Sequence, residues 1–116
     1  MVQLVLLVDD VVAQVFPLDK PELTIGRSSQ CDICINDDSV SATHALIRVT
    51  PNELLAGYND VVIYDLQSKN GVLVNDQHVE RCHLNPNDVI TIGWNRFKFL
   101  DPQSEGKDTT ALIMRE

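Results

Sequence analysis

Several features that would mark a specialised class of protein are missing from this chain. Basic residues are scarce: nine Lys and Arg stand against 17 Asp and Glu, for a formal net charge of −8. Sequence-independent binding to nucleic acid rests on a basic footprint, so no nucleic-acid partner is expected. Cysteine is sparse and odd in number, at three. That excludes a disulfide scaffold and fits a reducing compartment. No apolar run approaches the roughly 18 residues of a membrane-spanning helix. The N-terminal VQLVLLV is apolar but has no basic leader and runs straight into Asp9-Asp10, so it reads as a strand and not a signal peptide. No membrane partner is expected, and the chain reads as cytoplasmic. Internal repeats, low-complexity segments and a convincing amphipathic helix are also absent.

What the chain does have is enough apolar residues for one core. It is 116 residues long and 44% hydrophobic, which bounds it to a single ordered domain. The apolar pattern alternates with period two almost throughout. Val2, Leu4, Leu6 and Val8 alternate with their neighbours, Asp9-Asp10 turns the chain, and 11–16 returns, which predicts a hairpin. Pro17 ends it and Pro21 blocks a helix in the connector. Further short strands are predicted at 22–25, 33–35, 44–50, 61–66, 73–75, 78–80, 89–92 and 96–100. Residues 53–59 read equally as a loop or one helical turn. Asn70-Gly71 and Asn85-Pro86-Asn87-Asp88 are turn signals. About ten short strands divided by turns predict an all-β sandwich.

The stretch 26–44 concentrates polar residues between two strands. It opens with Gly26-Arg27 and closes with Ser41 and His44. Binding groups of small β domains gather in such loops. Arg27 has two readings, a solvated surface arginine or an anion ligand. Ser41 and His44 could be a nucleophile and its base, although no nucleophile elbow surrounds Ser41. Alternatively, His44 makes structural hydrogen bonds behind the loop. Cys31-x-x-Cys34 with Cys82-His83 could hold zinc or act in redox chemistry. Against that, residues three apart in an extended segment point to opposite faces. Trp94 reads as a packed turn residue.

Taken in order, the motifs resemble a known family. They are Gly26-Arg27, Ser41-x-x-His44, Asp65-x-x-Ser68-x-Asn70-Gly71, Val74-Asn75 and Leu84-x-x-x-Asp88-x-Ile90-x-Ile92-Gly93. This set looks like a forkhead-associated (FHA) domain, over about Leu23 to Leu100. The resemblance implies a β-sandwich of about eleven strands, mostly antiparallel, with phosphothreonine-binding loops at one end. It implies domain bounds of 1–101, with 102–116 a tail, an extra strand or a short helix. It also implies a non-catalytic adaptor without metal or cofactor. Its partner would be a phosphothreonine-containing protein, the substrate of a Ser/Thr kinase.

Carried over by residue, Arg27 would contact the phosphate and Ser41 would donate its hydroxyl to it. Lys69 would face the phosphate, and Asn70 would hydrogen-bond the peptide backbone. Gly26, His44, Ser68 and Gly71 would shape the loops. Physical chemistry gives the same picture. A phosphate monoester carries about −1.5 to −2 charges and three acceptor oxygens. Arg27 supplies a forked cation, while Ser41 and groups of the Ser28-Ser29 turn supply neutral donors.

The chain departs from the family at four positions. Ala42 follows Ser41 where many relatives carry Arg or Asn, which removes one ligand contact. Val72 replaces a usual Thr. Asp76 and Asn87 stand where Gly is common, a mild change because both residue types tolerate left-handed backbone. Ala42 motivates an alternative function, a phospho-independent FHA-like scaffold. Thr109 and Thr110 follow Asp108, and either, if phosphorylated, would be a candidate occupant of the same site. The other reading is a tail with no regulatory role.

Overall fold

The computed structural model describes residues 2–102. The readings of 103–116, including Thr109 and Thr110, lie outside the described residues. Eleven strands follow in chain order: β1 (Gln3–Val8), β2 (Val11–Pro17), β3 (Glu22–Gly26), β4 (Ile33–Cys34), β5 (Ala45–Pro51), β6 (Asn59–Asp65), β7 (Val72–Val74), β8 (Gln77–Val79), β9 (Arg81–His83), β10 (Val89–Ile92) and β11 (Asn95–Leu100). They form two sheets, ordered β2-β1-β11-β10-β7-β8 and β4-β3-β5-β6-β9. Every pairing with a stated register is antiparallel except β3 with β4.

The alternation read from the sequence decides which side chains meet between the sheets. Leu4 faces Phe99, Leu6 faces Phe97, Ile90 faces Phe97 and Val74, and Ile92 faces Val72. Opposite them stand Leu23 with Ile47, Ile25 with Ala45, and Ile47 with Ile63. All of these but Leu6 belong to one contiguous buried cluster, and Leu6, partly buried, packs against it. Each fully buried Leu, Ile or Phe contributes about 1.5–3 kcal/mol of transfer free energy. Tight hairpins follow from left-handed pairs: Asp9 and Asp10 have φ of 54° and 63°, and Asn75 and Asp76 have 52° and 69°. That geometry matches the right-handed twist of the strands. Asn87, at φ 73°, adopts the same region, so the two departures from Gly are absorbed by the backbone.

Two readings need correction, on β9 and Trp94, and one open alternative, at 53–59, is decided. β9 has no counterpart among the predicted strands. It is a three-residue edge strand with a single apolar residue, too short and too polar to show alternation. Residues 52–58 form a loop, in which Asn52 Oδ1 accepts the N–H groups of Leu54 and Leu55, both at 2.8 Å. Trp94 is not packed: it is 85% exposed at the β10–β11 turn. Other strand ends shift by a residue or two, as element ends do. No helix among the described residues is long and apolar enough to cross a membrane.

Four connections, 27–32, 35–44, 66–71 and 93–94, converge on one end of the sandwich. β3, β6 and β10 finish there, and β5, β7 and β11 begin there.

Candidate functional site

The site begins where β3 ends. Gly26 carries the chain past the 35–44 loop at close quarters. A Cβ on Gly26 would collide with the Ala42 carbonyl and sit 2.9 Å from Cys31 Sγ. This bare approach lets Arg27 N–H donate to Ser41 O at 3.0 Å and Ser28 N–H to Ala42 O at 3.1 Å. The Arg27 side chain is exposed, and no described residue hydrogen-bonds or ion-pairs its guanidinium. Ser28 Oγ accepts the Gln30 N–H at 3.1 Å, which leaves its own proton free.

His44 ties this loop pair to the opposite sheet. It is fully buried, and its Nδ1 accepts the Ser41 backbone N–H at 3.0 Å. Accepting at Nδ1 assigns the proton to Nε2, which donates to Gly71 O at 2.8 Å. The nucleophile–base reading of Ser41 and His44 fails on this geometry. Both ring nitrogens bond to backbone, and neither takes the Ser41 hydroxyl proton. Ser41 Oγ instead accepts the Lys69 N–H at 2.9 Å. Its hydroxyl proton stays available to an acceptor beyond the loops.

The 66–71 loop is built on Asp65 and Ser68. Asp65 Oδ1 accepts the Ser68 N–H and Ser68 Oγ accepts the Gly71 N–H, each at 2.9 Å. Gly71 has φ +80°, and a Cβ there would meet the His78 ring at 2.8 Å. The result presents Lys69 and Asn70, both exposed. Asn70 Nδ2 donates to Ser39 O at 2.7 Å, so one face of its amide is scaffold and Oδ1 remains open. Arg27, Ser28, Ser41, Lys69 and Asn70 thus share one rim, with Gly26, His44, Ser68 and Gly71 behind them.

A second layer stands outside the motif set: Ser39 and Asp37 brace the rim from the side. Ser39 Oγ donates to Asp37 Oδ2 at 2.9 Å and accepts the Trp94 N–H at 3.0 Å. Asn95 Nδ2 donates to the same Asp37 oxygen at 3.0 Å. The Ser39 N–H, the Ser39 hydroxyl and the Asn95 amide, in that order, hold the Asp37 carboxyl below the usual carboxylate range. Asp-x-Ser is an ordinary turn pattern, and its partner lies on a turn remote in sequence, so no local signal marks this role. A cleft of about 580 Å³ at Lys20, Glu22, Arg48 and Pro51 contains none of the rim residues.

The cysteine reading is corrected by topology. Cys34 lies on β4 and Cys82 and His83 on β9, at opposite edges of the five-stranded sheet. Four strand spacings of about 4.8 Å separate those edges, far beyond any shared metal. Cys31 and Cys34 donate to the backbone oxygens of Ala42 and Arg27. Burial, with help from Asp88, pushes the Cys82 thiol up and keeps it protonated.

The family model of the FHA domain matches residues 23–93. The glycogen accumulation regulator GarA of Mycobacterium tuberculosis is 34% identical over 93 residues, covering 80% of this chain and 53% of its own. The oxoglutarate dehydrogenase inhibitor of Corynebacterium efficiens is 35% identical over 85 residues, covering 73% and 55%. The chain therefore spans about half the length of the curated relatives it matches. Among solved structures, an FHA domain studied for phosphothreonine-dependent interactions superposes with a TM-score of 0.72 at 29% identity, covering 86% of this chain and 95% of its own. Sandwich topology, ordered motifs and matched family model agree, and the chain belongs to the FHA domain family.

Proposed function

We propose that this chain is a non-catalytic adaptor that binds a phosphothreonine segment of a partner protein phosphorylated by a Ser/Thr kinase. Arg27 clamps the phosphate with its forked donors, and Ser41 and Ser28 donate hydroxyl protons to the remaining oxygens. Lys69 adds a second cation. Asn70 Oδ1 accepts a peptide N–H beside the phosphothreonine. The observation that carries this reading is the Ser41–Lys69 bond of 2.9 Å. It joins the two loops so that an unpartnered guanidinium, a free hydroxyl proton and an ammonium line one rim. Charge-assisted bonds to a dianion are the strong kind, about 1.5–3 kcal/mol each. Relatives named as a regulator and an inhibitor, and a structural neighbour with phosphothreonine-dependent interactions, support the adaptor role. The three free cysteines accord with a reducing, cytoplasmic setting.

A peptide library presenting phosphothreonine, phosphoserine and unphosphorylated threonine, titrated by calorimetry, tests the proposal. Phosphothreonine binds and the unphosphorylated peptides do not. Arg27→Ala weakens binding at least a hundredfold while its unfolding free energy in urea stays within about 0.5 kcal/mol of the parent, because the side chain is exposed. Equal binding of unphosphorylated peptide would support the phospho-independent scaffold instead.

A further inference from the structure

The backbone on either side of Asn70 is held by the motif residues. The Lys69 N–H donates to Ser41 Oγ at 2.9 Å, and the Gly71 carbonyl accepts from His44 Nε2 at 2.8 Å. Those bonds leave the Asn70 side chain undetermined. Its terminal amide torsion is broad and roughly two-fold, and a half-turn exchanges Oδ1 for Nδ2. Accepting a peptide N–H requires the oxygen outward, because Nδ2 only donates. Ser39 decides between the two orientations. Its carbonyl oxygen only accepts, and it lies 2.7 Å from Nδ2. No other described residue bonds this amide.

Ser39 can fix its neighbour because the rest of it is pinned. It is a buried polar residue, 8% exposed. Asp37 accepts its N–H at 3.2 Å and its hydroxyl at 2.9 Å, and its Oγ accepts the Trp94 N–H at 3.0 Å. Gly93 lets the β10–β11 turn close on it: a Cβ there would collide with Ser39 Oγ and fall 2.8 Å from Ser39 O. The 35–44 loop and the β10–β11 turn thus clamp the N–H and the hydroxyl, and the carbonyl is left to the 66–71 loop. We propose that Ser39 is a positioning residue for ligand recognition, setting the Asn70 amide with Oδ1 toward the peptide backbone. The inference rests on the phosphopeptide reading above and adds to it the group that decides how Asn70 binds. The Ser39 hydroxyl acts at one remove, by anchoring the carbonyl of its own residue, and does not itself touch ligand. An Asn70 amide released from Ser39 would present donor and acceptor in turn and lose its preference for a peptide N–H.

Phosphothreonine peptides in which each backbone N–H beside the phosphothreonine is replaced in turn by an ester oxygen test this by calorimetry. In the parent chain one such ester is expected to weaken binding about fivefold, the scale of one hydrogen bond. In Asn70→Ala the same ester binds as the amide does. Ser39→Ala is expected to abolish the amide preference with Asn70 still in place, and Ser39→Thr, which keeps the hydroxyl, to retain it. Asp37→Ala removes the acceptor of the Ser39 N–H and hydroxyl from a different position. It is expected to reduce the preference as well, and it carries the test should Ser39→Ala fail to fold. A merely structural Ser39 would weaken amide and ester peptides alike and leave their ratio at the parental value. That parental ratio in Ser39→Ala, or in Asp37→Ala where only that variant folds, overturns the inference and leaves the adaptor reading standing. A parent that binds phosphothreonine peptides but is indifferent to every ester overturns the Asn70 contact and this inference with it. A parent that binds no phosphothreonine peptide overturns the adaptor reading itself.

Discussion

Arg27 and His44 belong to one motif set, but one is exposed and the other fully buried. The Arg27 side chain is exposed and has no partner among the described residues, so its removal is expected to leave the fold intact and to act on the proposed phosphate contact. His44 is buried with both ring nitrogens bonded to backbone. His44→Ala strands the Ser41 N–H and the Gly71 carbonyl and leaves a void, an expected loss of about 2–5 kcal/mol in urea unfolding. Ser41→Ala separates the two effects. It removes the hydroxyl and the acceptor for Lys69 N–H, so peptide affinity is expected to fall more than tenfold with about 1 kcal/mol lost in stability. A Ser41→Ala chain with parental affinity would remove Ser41 from the ligand set. These residues were legible in the sequence because they form an ordered set with characteristic spacing. Ser39 and Asp37 were not, because their meaning depends on Trp94 and Asn95, more than fifty residues downstream.

At the scale of the element, the strands were legible wherever alternation ran for four or more residues. β9 was not, since an edge strand reading Arg-Cys-His buries only one side chain partly. Pairing order is a property of the whole sheet, and only that order separated Cys31 and Cys34 from Cys82 and His83. The β10–β11 turn is the clearest difference between reading and structure. Hydrophobicity argues for burying Trp94, but the turn is held by its backbone N–H to Ser39, and the indole is left in solvent. Ser39 also receives Asn70 through its carbonyl, so one residue holds both the backbone that carries Trp94 and the Asn70 side chain. We expect Trp94 to contact residues flanking the phosphothreonine. Burying even part of an indole contributes about 1–2 kcal/mol. Trp94→Ala should therefore weaken peptides with apolar flanking residues by roughly tenfold and leave alanine-flanked peptides and thermal stability unchanged. An unaltered ranking across a flanking-residue library would show that the turn does not touch the peptide.

The charge of the whole molecule sets how stability responds to acid. With a net charge of −8 at pH 7, the folded chain repels itself, and lowering the pH toward 5 relieves part of that repulsion. Two carboxylates act in the opposite direction. Asp37 is held below the usual range by Ser39 and Asn95. Asp32 is held below it chiefly by the Lys20 ammonium, 2.6 Å away, and by the Thr24 N–H. A carboxyl with a depressed folded pKa contributes stability that is fully present above its unfolded value of about 3.9 and is lost as pH falls through the folded one. Melting temperature is therefore expected to hold or rise slightly from pH 7 to 5, then fall below about pH 4. Asp37→Asn isolates one part of this. It removes the charge that the Ser39 and Asn95 donors address but keeps the shape, so the variant should melt below the parent at pH 7. The gap should narrow as the parent's own Asp37 is protonated toward pH 3. Because Asp37 braces the turn that carries Trp94, the same variant should also weaken apolar-flanked peptides at pH 7, as Trp94→Ala does. A melting gap that stays constant from pH 7 to 3 would show that the Asp37 charge does not hold the β10–β11 turn against the rim.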